Sequence, residues 1–286
     1  MSRVHRTAAA TTLQPLLGAV SATAQVELGA GSAVNSQYVW RGLTITNSLV
    51  VQPDVSVSFT RGATGVSLGG WWNVEPALRT GTNDLSQTGG ARTGIAEMDL
   101  WAEATHSLGP VGLTAGFIAY RYNAANDGID DTYNTEEAYA KVGWDAAPAS
   151  PTLGVWFDVG KVHGAYLEGA VSHELSVLSN LSLTWVATAG YSLGQEQRNS
   201  ADEFYNFAQR GLTHVDLGVS ASLTLGAVEI SPALHVQLNQ LNPDGQNTGI
   251  TGASAANADR ASKIWFGVRL GWAATFGERP DAAAQP

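Results

Sequence analysis

The chain has no cysteine among its 286 residues, which excludes a disulfide scaffold and thiolate chemistry. Charged side chains are also scarce, at 14%, where about 25% is usual for soluble proteins. Cations are the rarer sign: 15 Lys and Arg stand against 25 Asp and Glu, a net charge of −10. With no basic patch, the sequence argues against a nucleic-acid partner. Nor is there a run of about 18 apolar residues, so no transmembrane helix is expected. Yet the hydrophobic fraction is an ordinary 44%, and glycine is abundant at 32 residues. Few charges without excess hydrophobicity suit a β-barrel with one apolar face and one small, polar face.

What is present is a period of two. From Ser262 to Phe276, every second residue is apolar: Ile264, Phe266, Val268, Leu270, Trp272, Ala274 and Phe276. Lys263, Trp265, Gly267, Arg269, Gly271, Ala273 and Thr275 make the other face. This alternation marks a strand with one face out of water. Its length suits a tilted membrane strand of about ten residues better than a soluble strand of about five or six. The same alternation recurs along the chain and predicts an all-β fold, a twelve-stranded antiparallel transmembrane β-barrel with both termini in the periplasm. In that orientation the tight turns, such as Arg61–Gly65, Ser107–Pro110 and Gly226-Ala227, all fall on the periplasmic side. The long polar segments Glu75–Gly94, Asn123–Thr135, Leu193–Gly211 and Asn239–Ala261 all fall outside, as bacterial barrels require. A soluble β-sandwich would need shorter strands and polar outer faces.

The first strand is expected to run from Val26 to Arg41. Leu28, Ala30, Ser32, Val34, Ser36, Tyr38 and Trp40 would face lipid, with Tyr38 and Trp40 in an aromatic girdle. A short loop, Thr44–Leu49, would return the chain to a second strand carrying Pro53, which should sit near the end of its pairing or at a bulge. Among the tryptophans, Trp40, Trp72, Trp144, Trp185 and Trp272 are assigned to lipid. Trp71, Trp101, Trp156 and Trp265 are assigned to the lumen.

The N-terminus reads as a secretory signal over residues 1–24: Arg3 and Arg6, an apolar stretch from Thr7 to Val20, then Ala22-Thr23-Ala24 as the small-residue cleavage site. The barrel would occupy residues 25–276 and a disordered tail residues 277–286. Export together with membrane strands places the protein in the outer membrane of a Gram-negative-type cell.

Acids dominate the expected lumen. Asp54, Glu97, Asp99, Glu103, Glu137, Asp158, Glu168, Glu174, Asp216 and Glu229 face inward, against Arg41, Lys141 and Arg269. Arg41 and Arg269 lie on the first and last strands, which become neighbours on closure and would form a basic wall beside the seam. One reading is a water-filled pore with a transverse field and a mild preference for cations. The other is a plugged barrel whose charges pair with one another. The inner tryptophans with Tyr120, Tyr139 and Tyr166 suit either a stacking surface for a solute or simple filling of the lumen.

Catalytic and metal chemistry find little support. The turn at Gly226-Ala227 pairs Leu225 with Val228, so His235 opposes Gly218 rather than His214. The two histidines are then about 13 Å apart at about 3.3 Å per residue, too far for a shared metal or a dyad. No Ser-His-acid set assembles, and no cofactor or metal is implied. The loop Asn126-Asp127-Gly128-Ile129-Asp130-Asp131 clusters oxygen ligands, but lacks the spacing of a known calcium loop.

The stretch Ser36-Gln37-Tyr38-Val39-Trp40-Arg41-Gly42-Leu43-Thr44 resembles the "S-x-Y-x-[FW]-R-G-x-[ST]" start of the TorF-type (Gcw_chp-like) family of bacterial outer-membrane barrels, described as porins and long of unknown function. Val51-Gln52-Pro53 is similar to its following strand, although the family usually has its proline a little earlier. The specific match covers about 25 residues. It implies an outer-membrane location and a channel role, and it brings no catalytic residues and no substrate. The expectation is a passive channel, not an enzyme, with membrane lipid and small polar solutes or cations as partners. A closed structural or adhesion barrel acting through its external loops, or an outer-membrane hydrolase, are the alternatives.

Overall fold

Period-two sequences with an apolar outer face close on themselves because only a closed sheet satisfies every backbone group within a membrane. A computed structural model describes residues 24–75, 94–122, 134–145, 149–161, 163–195, 210–239 and 263–277. Residues 1–23 of the proposed leader, the Asn126–Asp131 segment and the tail beyond Gly277 lie outside the described residues, whereas Ala24 opens the first strand.

Twelve strands form the wall: β1 (Ala24–Asn35), β4 (Val50–Arg61), β5 (Thr64–Glu75), β6 (Gly94–Leu108), β7 (Val111–Tyr122), β8 (Thr135–Trp144), β9 (Ser150–Asp158), β10 (Gly164–Leu178), β11 (Leu181–Gln195), β12 (Arg210–Leu225), β13 (Val228–Asn239) and β14 (Lys263–Phe276). Neighbours in sequence pair antiparallel, and β14 closes on β1 from Val26↔Phe276 to Asn35↔Gly267. This is the twelve-stranded all-β barrel that the alternation predicts. One end, the turn end, carries the tight turns, the start of β1 and the end of β14. The other, the loop end, carries the long connections.

The outer surface is an apolar belt. Ile264 is 66% exposed, and Phe266, Val268, Leu270 and Trp272 beside it are exposed too. Leu153, Val155 and Phe157 on β9, and Leu217 and Val219 on β12, continue the belt. Phe59, Trp144, Trp272 and Phe276 gather toward the turn end, and Phe157, Tyr191 and Phe266 toward the loop end, the two girdles of a membrane barrel. Pro53, the fourth residue of β4, opposes Ser32 of β1. On its other side the paired positions skip from Val51↔Val74 to Asp54↔Trp71 with no change of register.

The first strand departs from expectation. It ends at Asn35, and the next residues turn inward as a separate two-stranded hairpin, β2 (Tyr38–Trp40) and β3 (Leu43–Thr46). Tyr38 is therefore not in a lipid girdle: it is 1% exposed and packs on Trp71, ring centroids 5.4 Å apart. Trp40 is likewise inside, edge-on to Tyr120. The turn is Arg41-Gly42, and the segment from Thr44, expected to be a loop, is half strand. The reason is one of size. Eight strands enclose a space that wall side chains alone can fill, and the diameter grows with strand number. Twelve strands leave room, and this chain fills it with its own hairpin.

Candidate functional site in the barrel lumen

The inner hairpin is built for a tight reversal. Trp40 pairs with Leu43 across Arg41-Gly42, and both turn residues have positive φ, 47° and 92°. Two positive φ values define the turn whose twist matches paired strands. Glycine adopts that conformation freely, whereas an arginine there is strained by about 1–3 kcal/mol and is held by its surroundings. Gly42 lies against His214, where an added Cβ would come within 3.0 Å of the His214 Cβ.

The surroundings hold Arg41 from the opposite wall. Its Nη1 donates to Glu137 Oε1 at 2.7 Å and its Nη2 to Oε2 at 2.8 Å. Glu137 stands on β8, five strands from β1 one way round the barrel and seven the other. Tyr120 on β7 donates to the same carboxylate at 2.7 Å. The guanidinium also lies 4.2 Å from the ring centroid of Tyr166, 4.6 Å from that of Trp40 and 5.7 Å from that of Trp156. Such two-point pairing is the strongest way to hold a carboxylate, and the rings add cation–π attraction in a desolvated setting.

Other walls grip the rest of the hairpin. Gln237 of β13 donates to the Gly42 carbonyl at 3.2 Å, Thr46 donates to Glu75 of β5 at 2.8 Å, and Lys263 of β14 donates to Thr44. Asn35, Gln52 and Asn73 pass hydrogen bonds across β1, β4 and β5 to Glu75. Tyr38, Val39, Ile45, Val50, Tyr166 and Trp265 form one buried apolar cluster under the hairpin, and Ile118, Tyr120 and Tyr139 a second beside it.

The remaining predicted residues face the interior, mostly with partners. Arg269 donates to both oxygens of Asp54, at 2.9 and 2.8 Å. Tyr139 and Lys141 both approach Glu103, at 2.8 and 3.5 Å, and Tyr139 stacks on Trp156. Thr135 donates to Asp158, and Ser231 to Glu229. Glu97, Asp99 and Glu168 are buried, while Trp101 lies over Gly69 against the second cluster. The basic wall expected beside the seam does not form. Arg41 leaves the wall with the hairpin and meets Glu137, whereas Arg269 meets Asp54. Each of the three expected inward cations is paired with an acid.

The register between β12 and β13 is the expected one, Leu225↔Val228 and His235↔Gly218. It also brings together Asp216 and His235. Asp216 opposes Gln237, so it is the diagonal neighbour of His235 on the inner face, and the Nδ1–Oδ1 distance is 2.8 Å. Diagonal side chains on one face lie within reach of each other, so this contact was available from the same register. The imidazole stacks on Trp265 at 3.8 Å and 5°, with Gly218 beneath its edge. Among the described residues, no group of three or more His, Asp or Glu is arranged to hold a metal ion.

A gradient runs along the lumen. Toward the loop end, the inward side chains Asn73, Glu97, Asp99, Glu137, Asp158, Asp216 and Gln237 are buried. Toward the turn end, the inner face carries small hydroxylic residues, Ser56, Ser58, Ser67, Thr105, Thr114, Ser220 and Ser222, together with Glu27, Glu103, Lys141 and Glu229, and these remain partly accessible.

A closed barrel with an apolar belt, two aromatic girdles and a polar interior is an outer-membrane β-barrel. More particularly, the chain matches, over residues 19–256, the family described as "Bacterial protein of unknown function (Gcw_chp)", and belongs to it. No curated protein matches it. Among solved structures it is similar to the COG4313 outer membrane channel from Pseudomonas putida F1, at 10% identity and a TM-score of 0.51, covering 92% of this chain and 97% of that one. LpxR from Salmonella typhimurium has 9% identity and a TM-score of 0.47, covering 86% and 99%. The KdgM porin in complex with disordered oligogalacturonate has 10% identity and a TM-score of 0.42, covering 87% and 99%. At 10% identity the likeness to the COG4313 channel is one of fold.

Proposed function

We propose that the protein is a porin-like channel for small polar solutes, with the inner hairpin as its constriction. The observation that carries this reading is the gradient in the lumen. A half-barrel of partly accessible hydroxyl and charged side chains leads to a hairpin held by hydrogen bonds and one ion pair rather than by a covalent link. The turn end faces the periplasm in this reading, and the loop end faces outward. Acids outnumber bases on the inner face, which favours cations over anions.

The same hairpin lends some weight to the second reading, a closed barrel acting through its external connections. Conductance of the refolded protein in a planar bilayer separates the two. Wild-type protein is expected to show small, intermittent currents. Replacing residues 37–48 with a short glycine-serine linker should raise the conductance severalfold. Absence of current from both proteins would overturn the channel reading.

A further inference from the structure

We propose that the wall beneath the hairpin tip is a binding site for an organic cation, a guanidinium or alkylammonium group, and that Arg41 occupies it as a resident ligand. The inference deepens the channel reading and rests on it for the route by which a solute reaches the site.

The receptor and its occupant come from different parts of the chain. The receptor is all wall: Glu137 on β8, Tyr120 on β7, Trp156 on β9 and Tyr166 on β10, four consecutive strands. Its carboxylate is buried at 2% exposure and oriented by the Tyr120 hydroxyl at 2.7 Å. The two rings stand 5.7 and 4.2 Å from the bound guanidinium carbon. A carboxylate presenting both oxygens, flanked by aromatic faces, is the arrangement that recognises a flat or bulky organic cation. A small hydrated metal ion gains little from ring faces and would need several more oxygen ligands.

The occupant is the tip of a hairpin, and its backbone carries a positive φ at Arg41 that an unconstrained arginine would not adopt. That conformation belongs to the turn closed by Trp40 and Leu43, so the pocket anchors a tip that carries a local cost. Nothing covalent joins the tip to the wall, so a free cation of the same shape competes for the same carboxylate and rings. Displacing Arg41 frees the tip from its anchor at Glu137, leaving the Gln237 bond to the Gly42 carbonyl, and loosens the constriction, which makes the cation both ligand and opener.

The test uses the full chain refolded in detergent, with methylguanidinium chloride as the probe and tryptophan fluorescence and calorimetry as readouts. Arg41→Ala should bind methylguanidinium saturably. The double variant Arg41→Ala/Glu137→Gln should bind at least about tenfold more weakly, as expected from losing a charge-assisted contact. Wild-type protein should also bind more weakly than Arg41→Ala, because Arg41 competes. No binding to Arg41→Ala, or equal binding to the double variant, would overturn the proposal. If Arg41→Ala does not refold alone, millimolar methylguanidinium in the refolding buffer should restore its folding but not that of the double variant; failure to do so would also overturn it. A protein that conducts but binds no cation refutes this site and leaves the channel standing. One that binds the cation and passes no current refutes the channel and leaves the site standing.

Discussion

Arg269 on β14 reaches Asp54 on β4 by passing over Gly31 of the strand between them. The guanidinium Nη2 donates to both Asp54 oxygens, at 2.9 and 2.8 Å. A Cβ at Gly31 would fall 2.2 Å from that nitrogen. The pair thus spans the seam at which the first and last strands close the barrel, and it exists because the intervening residue has no side chain.

Gly31→Val should push Arg269 off Asp54 and destabilise the barrel by about 1–3 kcal/mol, the usual cost of overpacking. Gly112→Ala is the control. It also lies within a wall strand, but a Cβ added there would meet nothing within 4 Å, so it should be neutral. Urea unfolding in lipid vesicles measures both. Equal effects would show that the seam pair does not depend on the gap at Gly31.

Val219 and Ser220 are adjacent on β12 and face opposite ways, Val219 being 49% exposed on the belt. An arginine facing lipid near the midplane costs about 2–4 kcal/mol. Val219→Arg should therefore reduce the folded fraction in vesicles, while Ser220→Arg, facing the accessible half of the lumen, should fold. Heat-modifiable migration on gels reads the outcome. Equal tolerance would contradict the observed faces.

The Arg41–Glu137 pair is buried on both sides, and breaking such a pair from one side costs about 3–5 kcal/mol because the other charge is left stranded. Arg41→Gln and Glu137→Gln should each lose stability on that scale. The double variant should lose less than the sum. Additive losses in a double-mutant cycle would mean that the two groups are not coupled.

Gly42→Ala tests the turn. A side chain at a φ of +92° is strained, and the conformation alone destabilises by more than about 0.4–1 kcal/mol. The closeness of His214 adds to this. Lower stability together with larger or longer current openings is expected, whereas unchanged stability and unchanged currents would show that the tip is not tightly held.

Most of the wall was legible because alternation is a property of the strand itself. Leu217, Val219 and the Ile264–Phe276 set read as outward and are outward, and Gly226-Ala227 set the β12–β13 register to the residue. The hairpin was not legible, and the reason is physical. Val34, Ser36, Tyr38 and Trp40 continue the alternation of β1 without a break, and an aromatic ring that covers lumen apolar surface has the same periodicity as one that covers lipid. One signal did stand against a continuous strand: Arg41-Gly42 reads as a reversal once Thr44 and Thr46 are allowed to pair backwards. On the wall strands the alternation gives the side of each side chain, as at Asp216 and His235. Pairing was not legible, because Arg41 moved to a wall that no local pattern connects to it. The Asp216–His235 contact was within reach, needing only the diagonal neighbour rather than the direct one.

The hairpin lies between the first two wall strands in sequence, yet the groups that grip it belong to β5, β8, β13 and β14. In a chain made from its N-terminus, the occupant precedes most of its enclosure. The last strand to arrive carries both the seam pairing to β1 and Lys263, which reaches Thr44. Closing the wall therefore also completes the grip on the hairpin.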